Sequence, residues 1–308
     1  MSAWDALVNE SPQGHVFSCH AFLESLGAPF ACYVVTTPQG EVLAGAAILQ
    51  DGNKMARAPF AFTPHQGILF AQSVSSLSHQ KRLTAEFRIT TFFIDSLLNV
   101  FSNFSMALSP YFRDLRPFQW HNYGKSELPQ FEIRQRYTGH VSLIDFEIAG
   151  YLSTVRTVRR QEYKKTQAVI EPSQDLDLFQ KLYRLTFDRQ GIAMDAQALA
   201  RVERICQKAM ADGYGYLSCA HVGGRAASMA FFVTDNKCAY YLFGANDPDL
   251  RIANASSKLL IDNIASFAAH GLERFDFVGV NSPQRGDFKL SFNAELVPYQ
   301  EVHLSAHG

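Results

Sequence analysis

The sequence predicts an α+β chain made of two similar mixed α/β units, each a mixed, mostly antiparallel sheet flanked by helices. Three observations lead there. A length of 308 residues points to about two domains. Short segments of strand periodicity alternate with longer segments of helical periodicity. A hairpin early in the chain also aligns without a gap on a later one. Shifted by 184 residues, Gly40 falls on Gly224, Ala46 on Ala230 and Asp51 on Asp235, which reads as an old duplication. The boundary is expected near 145, giving domains 1–145 and 146–308, with room for the last residues to pack back on the first.

In the first half, 17–26 reads as a short helix with Phe22, Leu23 and Leu26 on one side and Gly27 after it. Strands are expected at 31–37 and 41–50 around the turn Pro38-Gln39-Gly40. Pro59, Pro64 and Gly67 place loop and short strands over 56–70. Helical spacing of Leu83, Phe87, Ile94 and Leu98 predicts a helix over 77–102, then a strand over 104–108. A strand at 134–143 opens the second half. One helix or two short ones follow over 145–167, then helices at 176–187 and 196–210. A hairpin is expected at 213–222 and 225–234 around Gly223-Gly224, a strand at 238–243, and a helix ending near 269. A last strand covers 273–279. Asn281, Ser282, Pro283 and Gly286 mark an irregular polar loop after it, a common setting for a site.

Composition narrows the classes. Hydrophobic residues make up 47% and Phe alone numbers 25, enough for sizeable cores. A formal charge of −1 gives no global pull toward nucleic acid or acidic membranes, so any anion site is local. The five cysteines (19, 32, 206, 219, 238) form no CxxC, which argues for reduced thiols in a cytoplasmic protein rather than disulfides or zinc. The N-terminus lacks the basic and apolar regions of a secretory signal. No run reaches about 18 apolar residues, so no membrane span is expected. His65, His79, His121 and His140 are scattered without a second ligand at useful spacing and read as surface or hydrogen-bonded residues.

Two stretches hold chemistry. Arg156, Arg159, Arg160 and Tyr163 share one face if 145–167 is a continuous helix, and arginines on a face can hold phosphate oxygens; a solvated basic face is the plain alternative. Glu162 on the same segment reads as an intrahelical ion-pair partner. In the second stretch, Asp276 sits on the last strand as a candidate base, substrate orienter or structural hydrogen-bonding residue. Lys289 is a candidate for neutralising phosphate or developing negative charge, and Arg285 is a weaker anion contact. No Ser-His-Asp or Cys-His order stands out, so no covalent nucleophile is expected.

Phe275-Asp276-Phe277-Val278-Gly279, followed by Phe288-Lys289 and Phe292-Asn293-Ala294-Glu295-Leu296, resembles the closing signature of FemAB-type transferases and the related GNAT-like (BioF2-like) acyltransferases. The early Phe17 to Leu23 segment, the strand over 137–143 and the basic segment after it occur in an order that fits. The resemblance implies tandem GNAT-like domains and an N-acyltransferase that uses no tightly bound cofactor and no metal. The donor would be acyl-CoA and the acceptor an amino group on a cell-envelope or polysaccharide precursor, attacked directly. It places Lys289 near acceptor and donor, makes Tyr241 a candidate proton donor, and sets Arg156, Arg159 and Arg160 beside the substrate. The GNAT pyrophosphate loop, Arg/Gln-x-x-Gly-x-Gly/Ala at a helix N-terminus, has Arg251-x-x-Asn254-x-Ser256 as its nearest match here, with Ser257 next. Both glycines are replaced, by an Asn that tolerates left-handed backbone and a Ser that can cap. The long coiled-coil arm of some peptidoglycan-building members has no counterpart. The alternatives are a Fem-type transferase using aminoacyl-tRNA, with tRNA as partner, and a non-catalytic ligand-binding protein on a degenerate GNAT scaffold.

Overall fold

The computed structural model describes residues 2–304 except 53, 190 and 192. The chain divides into two compact units. The first comprises the chain up to Arg136 and the segment from Pro298 onward; the second is Tyr137–Val297. The division therefore falls inside a strand, where the sequence reading places it near 145.

In the first unit, helix α1 (Ala3–Glu10) is capped by the Ser2 hydroxyl, which accepts from the Asp5 N–H. A single 3₁₀ turn and α2 (His20–Ser25) occupy the expected early helical segment. Strands β1 (Phe30–Thr36) and β2 (Val42–Asp51) form the expected hairpin, and β2 also pairs with β3 (Lys54–Met55) and β4 (Ile68–Phe70). Helices α3 (Gln72–Ser75) and α4 (His79–Leu98), strand β5 (Phe104–Ala107) and α5 (Arg116–Gln119) follow. The apolar stripe of α4, Ile89, Phe93, Ile94 and Leu97, packs into one core with Ile68, Phe70, Phe104 and Phe118.

Strand β6 (Glu132–Ser142) leads into the second unit. The expected helix over 145–167 is two helices, α6 (Ile148–Thr154) and α7 (Thr157–Lys165), because Val155 and Arg156 are extended between them. Then come β7 (Val169–Pro172), α8 (Leu176–Asp188), α9 (Ala196–Ala211), β8 (Gly215–Val222), β9 (Arg225–Thr234) and β10 (Cys238–Asn246). Helix α10 (Ala255–Ala269), β11 (Arg274–Asp276), α11 (Pro283–Leu290) and β12 (Glu295–Leu304) end the described chain. The strand order in this unit is β6-β11-β10-β9-β8-β7. Every neighbouring pair recorded there is antiparallel except β10–β11. Leu260, Ile264 and Phe267 of α10 cover the face that carries Phe232, Phe275 and Phe277.

Two expectations around the last strand need correction. β11 is three residues long, not seven, because Val278 and Gly279 adopt φ values of 48° and 61°. The loop expected after it contains a helix: Pro283 is at its start, where proline's fixed φ helps and its missing N–H costs nothing. Gly286 sits inside α11 because a Cβ there would lie 2.3 Å from the Val280 carbonyl oxygen. Among the described residues, no helix is long and apolar enough to cross a membrane.

Candidate functional site

The site is built where β10 and β11 part. The two strands pair only from Cys238↔Arg274 to Tyr240↔Asp276. β11 then turns away through its left-handed residues, while β10 runs on to Asn246. A register shift between Tyr241 and Phe243 turns β10 further, as a bulge does. Past Tyr240, the β11-side edge of β10 therefore has no strand partner among the described residues, and α11 carries Lys289 back to the gap.

Asp276 is 2% exposed and both its oxygens are engaged. Oδ1 accepts from the Thr138 hydroxyl and, at 2.7 Å, from the Val278 N–H. Oδ2 is 3.2 Å from Nε2 of His140. Thr138 and His140 lie two apart on β6, so their side chains leave the same face of the strand, and His140 is directly opposite Asp276 in register. The opposite face of β11 holds Phe275, buried with Phe277. A left-handed Val is costly for a β-branched residue, and the Asp276 bond to its N–H holds the turn at that point.

The Lys289 ammonium closes the other side of the turn. Nζ donates to the Val278 carbonyl, is 3.5 Å from that of Gly279, and lies 5.5 Å from the centre of the Tyr241 ring. Burial lowers its pKa to about 8; the Asp276 carboxylate works against the shift and Arg285 with it. Tyr241 is pushed up to about 12 by burial, so its phenol keeps its proton at neutral pH. The Tyr241 ring stands edge-on to Phe277 at 6.3 Å. Its hydroxyl occupies the space over Gly244, where an added Cβ would be 2.0 Å from the oxygen. The structure thus brings Asp276, Lys289 and Tyr241 around one turn, while Arg285 is exposed on α11.

The arginines do not form one open phosphate-binding face. Arg156 caps α7 from outside the helix and makes a two-pronged contact with Asp287, both bonds 2.9 Å. Its guanidinium holds the Asp287 carboxyl below the usual range. Arg159 contacts Glu162 at 2.6 Å and the Ser257 hydroxyl at 3.0 Å, with its guanidinium 5.0 Å from the Phe288 ring. Arg160 donates to the Ser153 carbonyl at 3.1 Å. The helical period that aligned these residues presumes a helix starting before Arg156, which the break at Val155 prevents.

At the candidate donor loop, Asn254 caps α10 in the left-handed conformation, φ 55°, where the GNAT motif has a glycine. Ser256 is half-buried in the first turn, and Ser257 is 1% exposed. The Ser257 hydroxyl donates to Glu162 at 2.5 Å, so a carboxylate already lies against the first turn of α10. Arg251 falls in the 3₁₀ turn Pro248–Ala253; its side chain is outside the described residues. Sequence reasoning missed Thr138, Gly244 and the bond from His140 to Asp276. The alternation Thr138-x-His140 on a strand was a usable signal for a shared face, but the pairing with Asp276 depends on register across 136 residues.

Residues 153–290 match the family described as acetyltransferase (GNAT) domain. No curated protein matches the chain by sequence. Among solved structures, FemX is similar with TM-score 0.68 at 14% identity, over 96% of this chain and 94% of that one. The L-PGS of Bacillus licheniformis is similar with TM-score 0.57 at 11% identity, over 99% and 92%. A tandem GNAT protein from the clavulanic acid biosynthesis pathway is similar with TM-score 0.52 at 10% identity, over 94% and 88%. The matched domain contains Tyr241, Asp276 and Lys289, and the likeness in fold to these tandem and Fem-type structures extends over nearly the whole chain.

Proposed function

We propose that the protein is an N-acyltransferase moving an acyl group from acyl-CoA to an amino group of a cell-envelope or polysaccharide precursor. The observation that carries the reading is the buried Lys289 ammonium, held on the left-handed turn beside Tyr241 where β10 and β11 part. In this reading the thioester carbonyl lies in that gap. The acceptor amine attacks it directly, forming a C–N bond, and the tetrahedral oxyanion is met by Lys289 and by backbone N–H groups of the unpaired β10 edge. The C–S bond then breaks, the thiolate takes a proton from the Tyr241 phenol, the amine's proton goes to solvent, and Tyr241 regains its proton from solvent. Tyr241 suits that role because burial keeps it protonated. Asp276 is assigned to holding the turn, because three donors already occupy its carboxylate.

Acyl-CoA is preferred to aminoacyl-tRNA on charge. Arg156 and Arg159 are paired with Asp287 and Glu162, and a chain of net charge −1 has little to offer a polyphosphate. The donor's phosphates would meet the first turn of α10, with Asn254 and Ser256 lining it and Arg251 nearby in sequence. The acceptor class rests on the Fem-type resemblance of 275–296. Thermal unfolding with acetyl-CoA, longer acyl-CoAs and charged tRNA tests the donor. A ligand at about a hundred times its dissociation constant stabilises by about 2.7 kcal/mol. A shift with acyl-CoA that weakens in Arg251→Ala or Ser256→Asp supports the reading; a shift with tRNA alone replaces the donor; no shift with any of them favours the degenerate binding scaffold.

A further inference from the structure

We infer that Thr138 and His140 are positioning residues for Lys289, acting through Asp276 and the Val278–Gly279 turn. The inference rests on the reading of Lys289 as the cation of the site. Its physical basis is a continuous chain of hydrogen bonds across the end of β11. The Thr138 hydroxyl and His140 Nε2 bind the two oxygens of Asp276. Oδ1 of Asp276 accepts the Val278 N–H, and the Val278 carbonyl accepts from Lys289 Nζ. Each link fixes the next. The register that sets His140 opposite Asp276 also lets the Phe277 N–H donate to the Gly139 carbonyl at 2.9 Å, so the strand feeding the turn is held on both sides of Asp276.

The geometry explains why a left-handed valine persists here. Without Asp276 on its N–H, Val278 at φ 48° keeps only the Lys289 ammonium on its carbonyl, and relaxation toward the extended region would swing that carbonyl away from Lys289. Asp276 cannot choose its own orientation: an unheld carboxylate would rotate, and the hydroxyl and imidazole on β6 stop that. Thr138 is 1% exposed and the His140 side chain 11%, so water competes weakly with either bond. The charged groups acting on Lys289 are Asp276 and Arg285, with the Tyr241 ring beside it. The two β6 residues add no charge contact to Lys289 of their own, which is why they act by position.

The test follows the Lys289 Cε–Nζ signal by NMR, assigned by its loss in Lys289→Arg, through a pH titration of the full chain. Thr138→Val and His140→Met remove the donors at nearly constant volume; Thr138→Ser and His140→Gln keep them. The donor-less variants should lower the Lys289 midpoint by about half a pH unit or more, because the charged amine loses its fixed acceptor, and the donor-retaining pair should stay with wild type. Unchanged midpoints in the donor-less variants, with far-UV circular dichroism unchanged, overturn the inference. If Thr138→Val fails to fold, the His140→Met and His140→Gln comparison decides alone. The readout needs no turnover. Loss of the positioning effect is therefore distinguishable from failure of the transferase reading, which would appear as no amide formation by the wild-type protein, and from failure of the Lys289 role, which would appear as full transfer activity in Lys289→Met.

Discussion

Replacing Gly244 by Ala should act almost entirely through Tyr241. The added Cβ would sit 2.0 Å from the Tyr241 hydroxyl oxygen and 3.0 Å from its Cζ. An ordinary contact needs about 3.4 Å, so the hydroxyl must retreat by roughly 1.4 Å. The ring cannot follow freely, since it packs against Phe232 at 5.7 Å and edge-on to Phe277 at 6.3 Å. Overpacking of this kind costs about 1–3 kcal/mol. Tyr241→Phe removes the atom in closest conflict and leaves the milder 3.0 Å approach. A double-mutant cycle of Gly244→Ala and Tyr241→Phe, measured by urea unfolding, should therefore show favourable coupling of about 1 kcal/mol or more. Coupling within about 0.3 kcal/mol of zero would refute the claim that Gly244 exists to seat the Tyr241 hydroxyl.

Two further outcomes follow from the charges. Lys289 has a folded pKa of about 8 against the usual 10.5 for lysine. The unfolded chain then binds more protons between those values, so stability rises with pH from about 8 to about 10.5 and is flat below, where both states are protonated. Lys289→Met lacks this slope; its stability advantage over wild type should shrink by up to about 3 kcal/mol across that window in urea titrations at successive pH. Parallel pH curves for the two proteins would contradict the buried-amine account. Glu162→Gln removes the carboxylate lying on Ser257 at the first turn of α10 and leaves Arg159 without its ion-pair partner. Calorimetry should show CoA binding about fivefold tighter, an effect of about 1 kcal/mol; weaker binding would mean that the phosphates lie elsewhere.

Where periodicity and turn chemistry act locally, the sequence was readable. The hairpins at β1–β2 and β8–β9, helix α4 and the two helices α8 and α9 lie within a few residues of expectation. The failures have physical causes. Pro283 and Gly286 read as loop residues, yet proline suits a helix start, and Gly286 answers a tertiary approach of 2.3 Å that no local pattern reveals. The shared arginine face assumed an unbroken helix, and Arg156 proved to be a cap. Asp276, Lys289 and Tyr241 could be singled out one by one as candidates. Their joint arrangement depends on a parallel strand pair only three residues long and on a left-handed valine, which nothing in the composition of 273–279 announces. Thr138 and His140 gain their meaning only from the register of β6 against β11.

The central claim is that this chain transfers an acyl group from acyl-CoA to an amine with Lys289 at the centre of the site. The most direct measurement is release of free CoA thiol from acetyl-CoA, followed with a thiol-reactive dye, against a panel of amino sugars, nucleotide-linked amino sugars and short peptides, for wild type and Lys289→Met. The account predicts thiol release that requires both protein and one class of amine, yields the matching amide by mass spectrometry, and falls by at least about a hundredfold in Lys289→Met, the scale on which losing one oxyanion partner acts. Amide formation that persists unchanged in Lys289→Met, or acyl transfer only from charged tRNA, would contradict it.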